Sequence, residues 1–482
     1  MVEVALLASL ALAICLVDPR KGIFLSILAG FLADPIRKML PGEPLFLNVV
    51  VVAFVAATFM ADRKQGLRLG TLGVQSRNMQ LAIKMFLALV VVQSGIAFLS
   101  TGSPVIAAIG LLAYFAPLPA IFVAYHFARN ESDVFRLISF YILCSAVLVS
   151  GVYLSVMGYE GNLLRAVGVE QIIYSAATGE RLQLLSGFLR SSENAAWHAS
   201  TAACLLILLA VSARRSARFY WIAGIGMPFL IVAILLTGRR KGLVAVVLFL
   251  VIYAFLLAYF RRGAQRLAVL LLLLGVAAAL FAQTNWFSEE KVSVYRPYVE
   301  RGSTAAGSDA IERLRGMTID SFKWIIAQNG LFGAGAGTGS QGAQYFGGGA
   351  DIVGGAAEGG LGKVLAELGV PGLALLFWLL AGLLRVLWQL ARDVNNRSSV
   401  RARMVFGLLA LLGANAVEFT TAHQIYGDPF VLLMLGSILG FALAIAQIDQ
   451  RTTSKDGLCG SAWVSDGRVR THRKIGAATV GT

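Results

Sequence analysis

Between Leu267 and Phe281 every position is apolar or glycine. An unbroken run of that length is hard to satisfy in a water-exposed fold, whereas the hydrocarbon of a bilayer accepts it directly. Such runs recur along most of the chain: of 482 residues, 57% are hydrophobic and only 14% charged, against roughly 25% charged in an average soluble domain. A soluble globular enzyme is therefore excluded. A transmembrane barrel is excluded too, because its strands alternate apolar and polar residues and these runs do not. What remains is an all-α, polytopic helical membrane protein.

Hydropathy predicts spans near 2–17, 22–36, 45–61, 79–99, 105–127, 134–157, 195–213, 219–236, 242–260, 266–283, 361–390, 404–422 and 429–447, about 12–13 in all at roughly 20 residues per crossing. The first has no basic flank and no small-residue cleavage site, so it reads as a retained helix rather than a signal peptide. The expected organisation is a transmembrane region 1–283 (spans 1–10, with an outer loop at 158–194), a loop 284–360, a transmembrane region 361–447 and a basic tail 448–482, read as disordered. No internal repeat is visible, and no pair of Gly/Pro-broken spans at matching positions points to a secondary transporter.

Lys and Arg number 41 against 26 Asp and Glu, a net charge of +15. In a soluble chain this would raise the question of nucleic acid; here it reads as topology, and no nucleic acid is expected. Loops 62–78, 128–133, 214–218, 261–265 and 391–403 are arginine-rich, and the positive-inside rule places them and the tail in the cytoplasm, with the amino terminus outside. Three of four cysteines (Cys15, Cys144, Cys204) lie in apolar spans and Cys459 in the tail, so no disulfide framework or metal spacing can be built. No cofactor is expected.

The outer loop 284–360 exceeds ordinary connection lengths, which argues for a functional role. Within it Ile311, Leu314, Thr318, Phe322 and Ile325 share one helical face, flanked by Arg313, Arg315 and Lys323. Thirteen glycines follow in the 31 residues from Gly330 to Gly360, dense enough for the backbone to approach another surface closely. That surface is either phosphate oxygens or, in the plainer reading, the membrane domain itself.

Three short segments carry the candidate chemistry. Thr237-Gly238-Arg239-Arg240-Lys241-Gly242 is a tight turn between two spans. In the orientation above it faces outward, where three adjacent cations defy the positive-inside bias and suit an anion; a guanidinium offers a planar fork for phosphate oxygens. The alternative is that they snorkel to headgroups. Ser186-Gly187-Phe188-Leu189-Arg190-Ser191-Ser192-Glu193-Asn194 opens a span and sets Arg190, Glu193 and Asn194 at its mouth. Read locally, Ser191 or Ser192 caps the helix and Glu193 complements its dipole, while His198, one turn deeper, reads as a packed histidine. At the end of the long loop, Glu358 precedes Gly359-Gly360-Leu361-Gly362-Lys363 and Ala366-Glu367-Leu368-Gly369. Lys363 and Glu367 are spaced to pair on one helical face; Glu358 has no local partner. Glu418 is the most conspicuous ionisable residue inside a span, where charges are costly and often functional.

In their order and spacing these segments resemble the O-antigen ligase and polysaccharide polymerase superfamily of bacterial membrane glycosyltransferases. SGFLRSSENAA is similar to the family's asparagine motif, TGRRKG to its Thr-Gly-Ser-Arg-Gly-like turn with the family arginine on Arg240, and ERLRGMTIDSFKWIIAQNGLFGAGAGTG to its amphipathic helix and glycine-rich turn. Ala366-Glu367-Leu368-Gly369 matches its Glu-Leu-Gly signature, and the whole resemblance covers roughly residues 180 to 445. It implies an undecaprenyl-diphosphate-linked glycan donor bound at the periplasmic face of the inner membrane. Its diphosphate would be held by Arg240 with Arg190, Arg239, Arg313 or Arg315, beside Glu193 and Asn194. It also implies a glycan or lipid acceptor, metal-independent inversion, and flippase and chain-length regulator proteins as partners besides membrane lipids. Ligases of the family carry a histidine base nine residues before the Glu of the signature; here that position is Glu358, which favours a polymerase over a lipid A core ligase. A basic outer turn would also suit a transporter or flippase of lipid-linked oligosaccharide, and a non-catalytic scaffold is a third reading.

Overall fold

A computed structural model describes residues 2–43, 46–62, 76–167, 172–174, 181–212, 217–260, 265–268, 271, 321–340, 343, 359–396 and 398–448. The chain divides into Met1–Ala446 and Gln447–Thr482, the second almost wholly beyond the described residues. The first unit is a helical membrane bundle. Its helices are α1 (Val2–Val17), α2 (Pro19–Met39), α3 (Phe46–Asp62), α4 (Arg77–Thr101), α5 (Pro104–Phe115), α6 (Pro117–Phe127), α7 (Glu131–Val156), α8 (Ser192–Ser212), α9 (Ala217–Leu236), α10 (Arg240–Tyr259), α11 (Ser321–Asn329), α12 (Gly360–Asn395), α13 (Ser399–Thr421) and α14 (Pro429–Ala446), with a 3-10 turn at Gln424–Gly427. Eight spans among the described residues, counting α5 and α6 as one, are long and apolar enough to cross a membrane. Every expected span except the tenth appears as helix; the tenth lies mostly outside the described residues.

Two features depart from the sequence expectation. In a chain expected to be all-α, the outer loop 158–194 contains a small antiparallel pair, β1 (Ile172–Tyr174) and β2 (Arg181–Gln183), with Ile173 opposite Leu182. Nor are all spans continuous. One breaks between α5 and α6, where Pro117 opens the second helix, because proline lacks the N–H that would continue the first. The more consequential break is in α12 at Gly369, whose φ of 68° and ψ of −169° are open to glycine but strained for other residues.

That break has a backbone cost which an adjoining segment meets. Lipid offers no partner for freed amides and carbonyls, so irregular backbone at membrane depth survives only against protein. Here the stretch after α11 lies across the gap. Ala334 and Gly335 donate their N–H groups to the carbonyls of Ala366 and Glu367 (2.8 and 3.2 Å), and Val370 donates to Leu331 (2.9 Å). Ala336 donates to the Gln93 carbonyl on α4 at 3.0 Å, and the Gln93 side chain donates back to Phe332 at 2.8 Å. The described part of the glycine-rich segment, residues 330–340, is thus an arm packed on the membrane domain, with the amides of Ala334, Gly335 and Ala336 engaged by helix carbonyls. Phe322 and Ile325 of α11, from the predicted apolar face, pack on Leu365 and Ala366; the rest of that face lies outside the described residues.

Gly337 is where the arm comes closest. Its φ is +97°, and a Cβ there would overlap the Ile106 carbonyl of α5. Gly337→Ala adds left-handed strain to overpacking, together roughly 2–5 kcal/mol of destabilisation. A thermal melt in detergent should show it as a clear loss of stability; an unchanged melt would mean that the arm does not sit against α5.

At the centre stands α8, all of whose spanning residues are buried by α7, α9, α10 and α13. Shielding from lipid explains how a span can hold Asn194, His198, Ser200 and Thr201. Ion pairs also sort the loops into two ends: Arg20–Asp133 and Arg401–Glu131 (both 2.7 Å) with His126–Asp62 at one, Arg165–Glu43, Arg190–Asp428 and Arg239–Glu193 at the other.

Candidate functional site

The end that gathers Arg190, Glu193, Asn194 and the 237–242 turn is built on the first turn of α8. Ser191 caps that helix: its Oγ accepts from the Asn194 N–H (3.3 Å) and donates to Asn194 Oδ1 (2.8 Å). Asn194 Nδ2 in turn donates to Asp428 at 2.6 Å. The Arg190 side chain reaches Asp428 (3.0 Å) and Asn194 (3.2 Å), and its backbone N–H donates to Asp34 on α2 at 3.0 Å. Burial alone would lower the Arg190 pKa, but the Asp428 and Asp34 carboxylates outweigh it and raise it above the ordinary value. Arg190 and Asn194 therefore tie α2, α8 and the mouth of α14 together. His198 is buried, hydrogen-bonded to Tyr141 (2.8 Å) and stacked on Phe430, as the packed reading expected.

The neighbouring face is the basic turn. Thr237 closes it, donating to the Ile234 carbonyl (2.6 Å) and accepting from the Arg239 N–H (3.3 Å). Arg239 donates to Ser192 Oγ (2.9 Å) and pairs with Glu193 at 3.1 Å; Lys241 lies 4.0 Å from the same carboxylate. In the amide orientation that satisfies both groups, Gln424 donates to the two Glu193 oxygens at 2.7 and 3.1 Å. Burial lowers the Arg239 pKa from its ordinary value, with Glu193 opposing the shift. Arg240 is the first residue of α10 and half-buried. Three cations thus open a helix at the end where its dipole is already positive, an arrangement that is unfavourable for cations and favourable for an anion.

The third component is the first limb of α12, residues 360–368. Lys363 and Glu367, the pair expected from their spacing, lie 3.9 Å apart and buried, and Tyr114 of α5 donates to Glu367 at 2.7 Å. Gly360 packs against Phe419 of α13 so closely that a Cβ would collide with its carbonyl. Glu358, Arg313 and Arg315 lie outside the described residues. Sequence reasoning missed Asp34, Asp428 and Tyr114 as partners; an aspartate inside the apolar run of α2 was the available signal for the first.

No match was found among curated proteins. A family model described as O-antigen ligase matches residues 225–377, a stretch that holds the basic turn, the arm and the Glu-Leu-Gly break but neither Arg190 nor Glu418. Over that stretch, about a third of the chain, this multi-pass membrane bundle is similar to the O-antigen ligase family.

Proposed function

We propose that the protein is a metal-independent, inverting glycosyltransferase that polymerises or transfers undecaprenyl-diphosphate-linked oligosaccharide at the periplasmic face of a bacterial inner membrane, with its carboxyl terminus in the cytoplasm. The observation that carries this reading is the run Arg239-Arg240-Lys241 at the positive end of α10, which concentrates positive potential where a diphosphate would lie. Arg240 binds the diphosphate, with Arg190, Arg239, Arg313 and Arg315 as secondary cations. Glu193 and Asn194 shape the mouth.

In the reaction the acceptor hydroxyl oxygen bonds to the anomeric carbon as the bond from that carbon to the diphosphate oxygen breaks. Glu358 takes the hydroxyl proton, and undecaprenyl diphosphate leaves with the electron pair, its charge stabilised by the cations. Glu358 in place of the ligase histidine favours chain polymerisation over transfer to lipid A core. A flippase and a chain-length regulator are the partners that such a reaction calls for.

Cells lacking the protein should accumulate single lipid-linked repeat units at the periplasmic face. Accumulation at the cytoplasmic face would instead identify a flippase.

A further inference from the structure

Asp34 and Lys38 stand four residues apart near the carboxyl end of α2, the spacing at which a helix ordinarily pairs opposite charges with each other. Both are buried, 6% and 2% exposed, and a buried charge is costly unless it is well bonded. Here each is spent instead on the backbone of the turn that leads into α8. Lys38 Nζ donates to the Gly187 carbonyl at 2.7 Å and to the Leu163 carbonyl at 3.1 Å. Asp34 accepts the Arg190 N–H at 3.0 Å. A single turn of α2 therefore grips both ends of residues 187–190.

The far side of that turn is closed by α7. A Cβ on Gly187, whose φ is +56°, would lie 2.6 Å from the Val152 nitrogen, and one on Gly151 would lie 2.6 Å from the Phe188 nitrogen. Close approach to α7 fixes how deep the turn sits, and the directional bonds from α2 fix its rotation. The Arg190 carbonyl is taken as well, by the Val167 N–H at 2.8 Å. What is held so completely is the stem of one side chain. Arg190 Nε donates to Asn194 (3.2 Å) and Nη2 pairs with Asp428 (3.0 Å), yet the side chain stays 20% exposed. Among the described residues its Nη1 makes no hydrogen bond. The charge of Glu193 acts on the same guanidinium, and Glu193 pairs with Arg239, so Arg190 belongs to the same mouth as the basic turn. An arginine ordered in advance gives up less side-chain freedom when an anion arrives.

Building on the proposed glycosyltransfer, we infer that Asp34 and Lys38 are positioning residues for the donor: their clamp on residues 187–190 sets the Arg190 guanidinium, which then meets the diphosphate without further ordering. Both act through Arg190 and neither touches the lipid.

The test measures binding of undecaprenyl diphosphate to the purified full-length protein. Asp34→Ala should raise the Kd about 10-fold, the scale of one lost hydrogen bond to a charged group. Asp34→Asn, which still offers an oxygen to the Arg190 N–H, should raise it less. Lys38→Met should weaken binding in the same direction and replaces Asp34→Ala if that variant fails to accumulate. The decisive comparison is the double variant. Once Arg190→Ala has removed the guanidinium, adding Asp34→Ala should change the Kd by less than about twofold, because nothing is left to position; a role only in holding the fold would give losses that add. Additive losses, a single-variant Kd within about twofold of wild type, an Arg190→Ala Kd equal to wild type, or no binding by the wild type would each overturn the clamp. If the wild type forms no glycosidic bond from the lipid-linked repeat unit, it is the glycosyltransfer reading that fails, and the binding comparison decides the clamp separately.

Discussion

Glu358→Gln is expected to abolish glycan elongation while the protein remains in the membrane and still binds donor lipid. The substitution is nearly isosteric but cannot accept the acceptor's proton, and a proton-transfer group is worth about 10²- to 10⁴-fold in rate. Its position supports the role. Glu358 precedes the short first limb of α12, which is anchored by the buried Lys363–Glu367 pair, by Tyr114 and by the contact of Gly360 with Phe419. Glu358→His should recover part of the activity, with a rate that falls as pH drops through the ordinary histidine range near ~6.5, because only the neutral imidazole accepts the proton. Undiminished polymer from Glu358→Gln would move the base elsewhere, with Glu193, His198 and His423 the next groups to substitute.

The second large effect is expected at Arg240. Removing one preorganised donor from a site of developing negative charge costs about 10²- to 10³-fold in turnover, and Arg240→Ala should show a loss of that order with weakened donor binding. Arg240→Lys keeps the charge but not the planar fork, so binding should recover more fully than turnover. Polymer yield and chain-length distribution measured at matched protein levels separate this from the snorkelling alternative, under which both variants match the wild type.

How much of this was legible beforehand depended on the distance over which each feature is encoded. The spans follow from local apolar runs, and the cap at Ser191 and the Lys363–Glu367 pair follow from spacings within one helical turn. The break at Gly369 was written in Gly369-Val370-Pro371-Gly372, yet hydropathy averages side chains and is blind to backbone geometry. The glycine-rich arm announced that something would approach closely, not that Ala366, Glu367 and Gln93 would supply the carbonyls. Arg190 meeting Asp428, and Glu193 sharing a cleft with Glu418, are pairings of residues more than two hundred positions apart, and only the packing of α8 against α10 and α13 creates them. Glu418 stood out in the sequence as a charge inside a span; its closeness to Glu193, Arg239 and Lys241 did not.

Incubating the purified protein in liposomes with the lipid-linked repeat unit and following both glycan length and the lipid product tests the account most directly. The account predicts longer lipid-linked glycan, with one undecaprenyl diphosphate released for each new glycosidic bond, and loss of both in Arg240→Ala and Glu358→Gln. Movement of the intact lipid-linked unit across the bilayer with no new bond and no released diphosphate would contradict it.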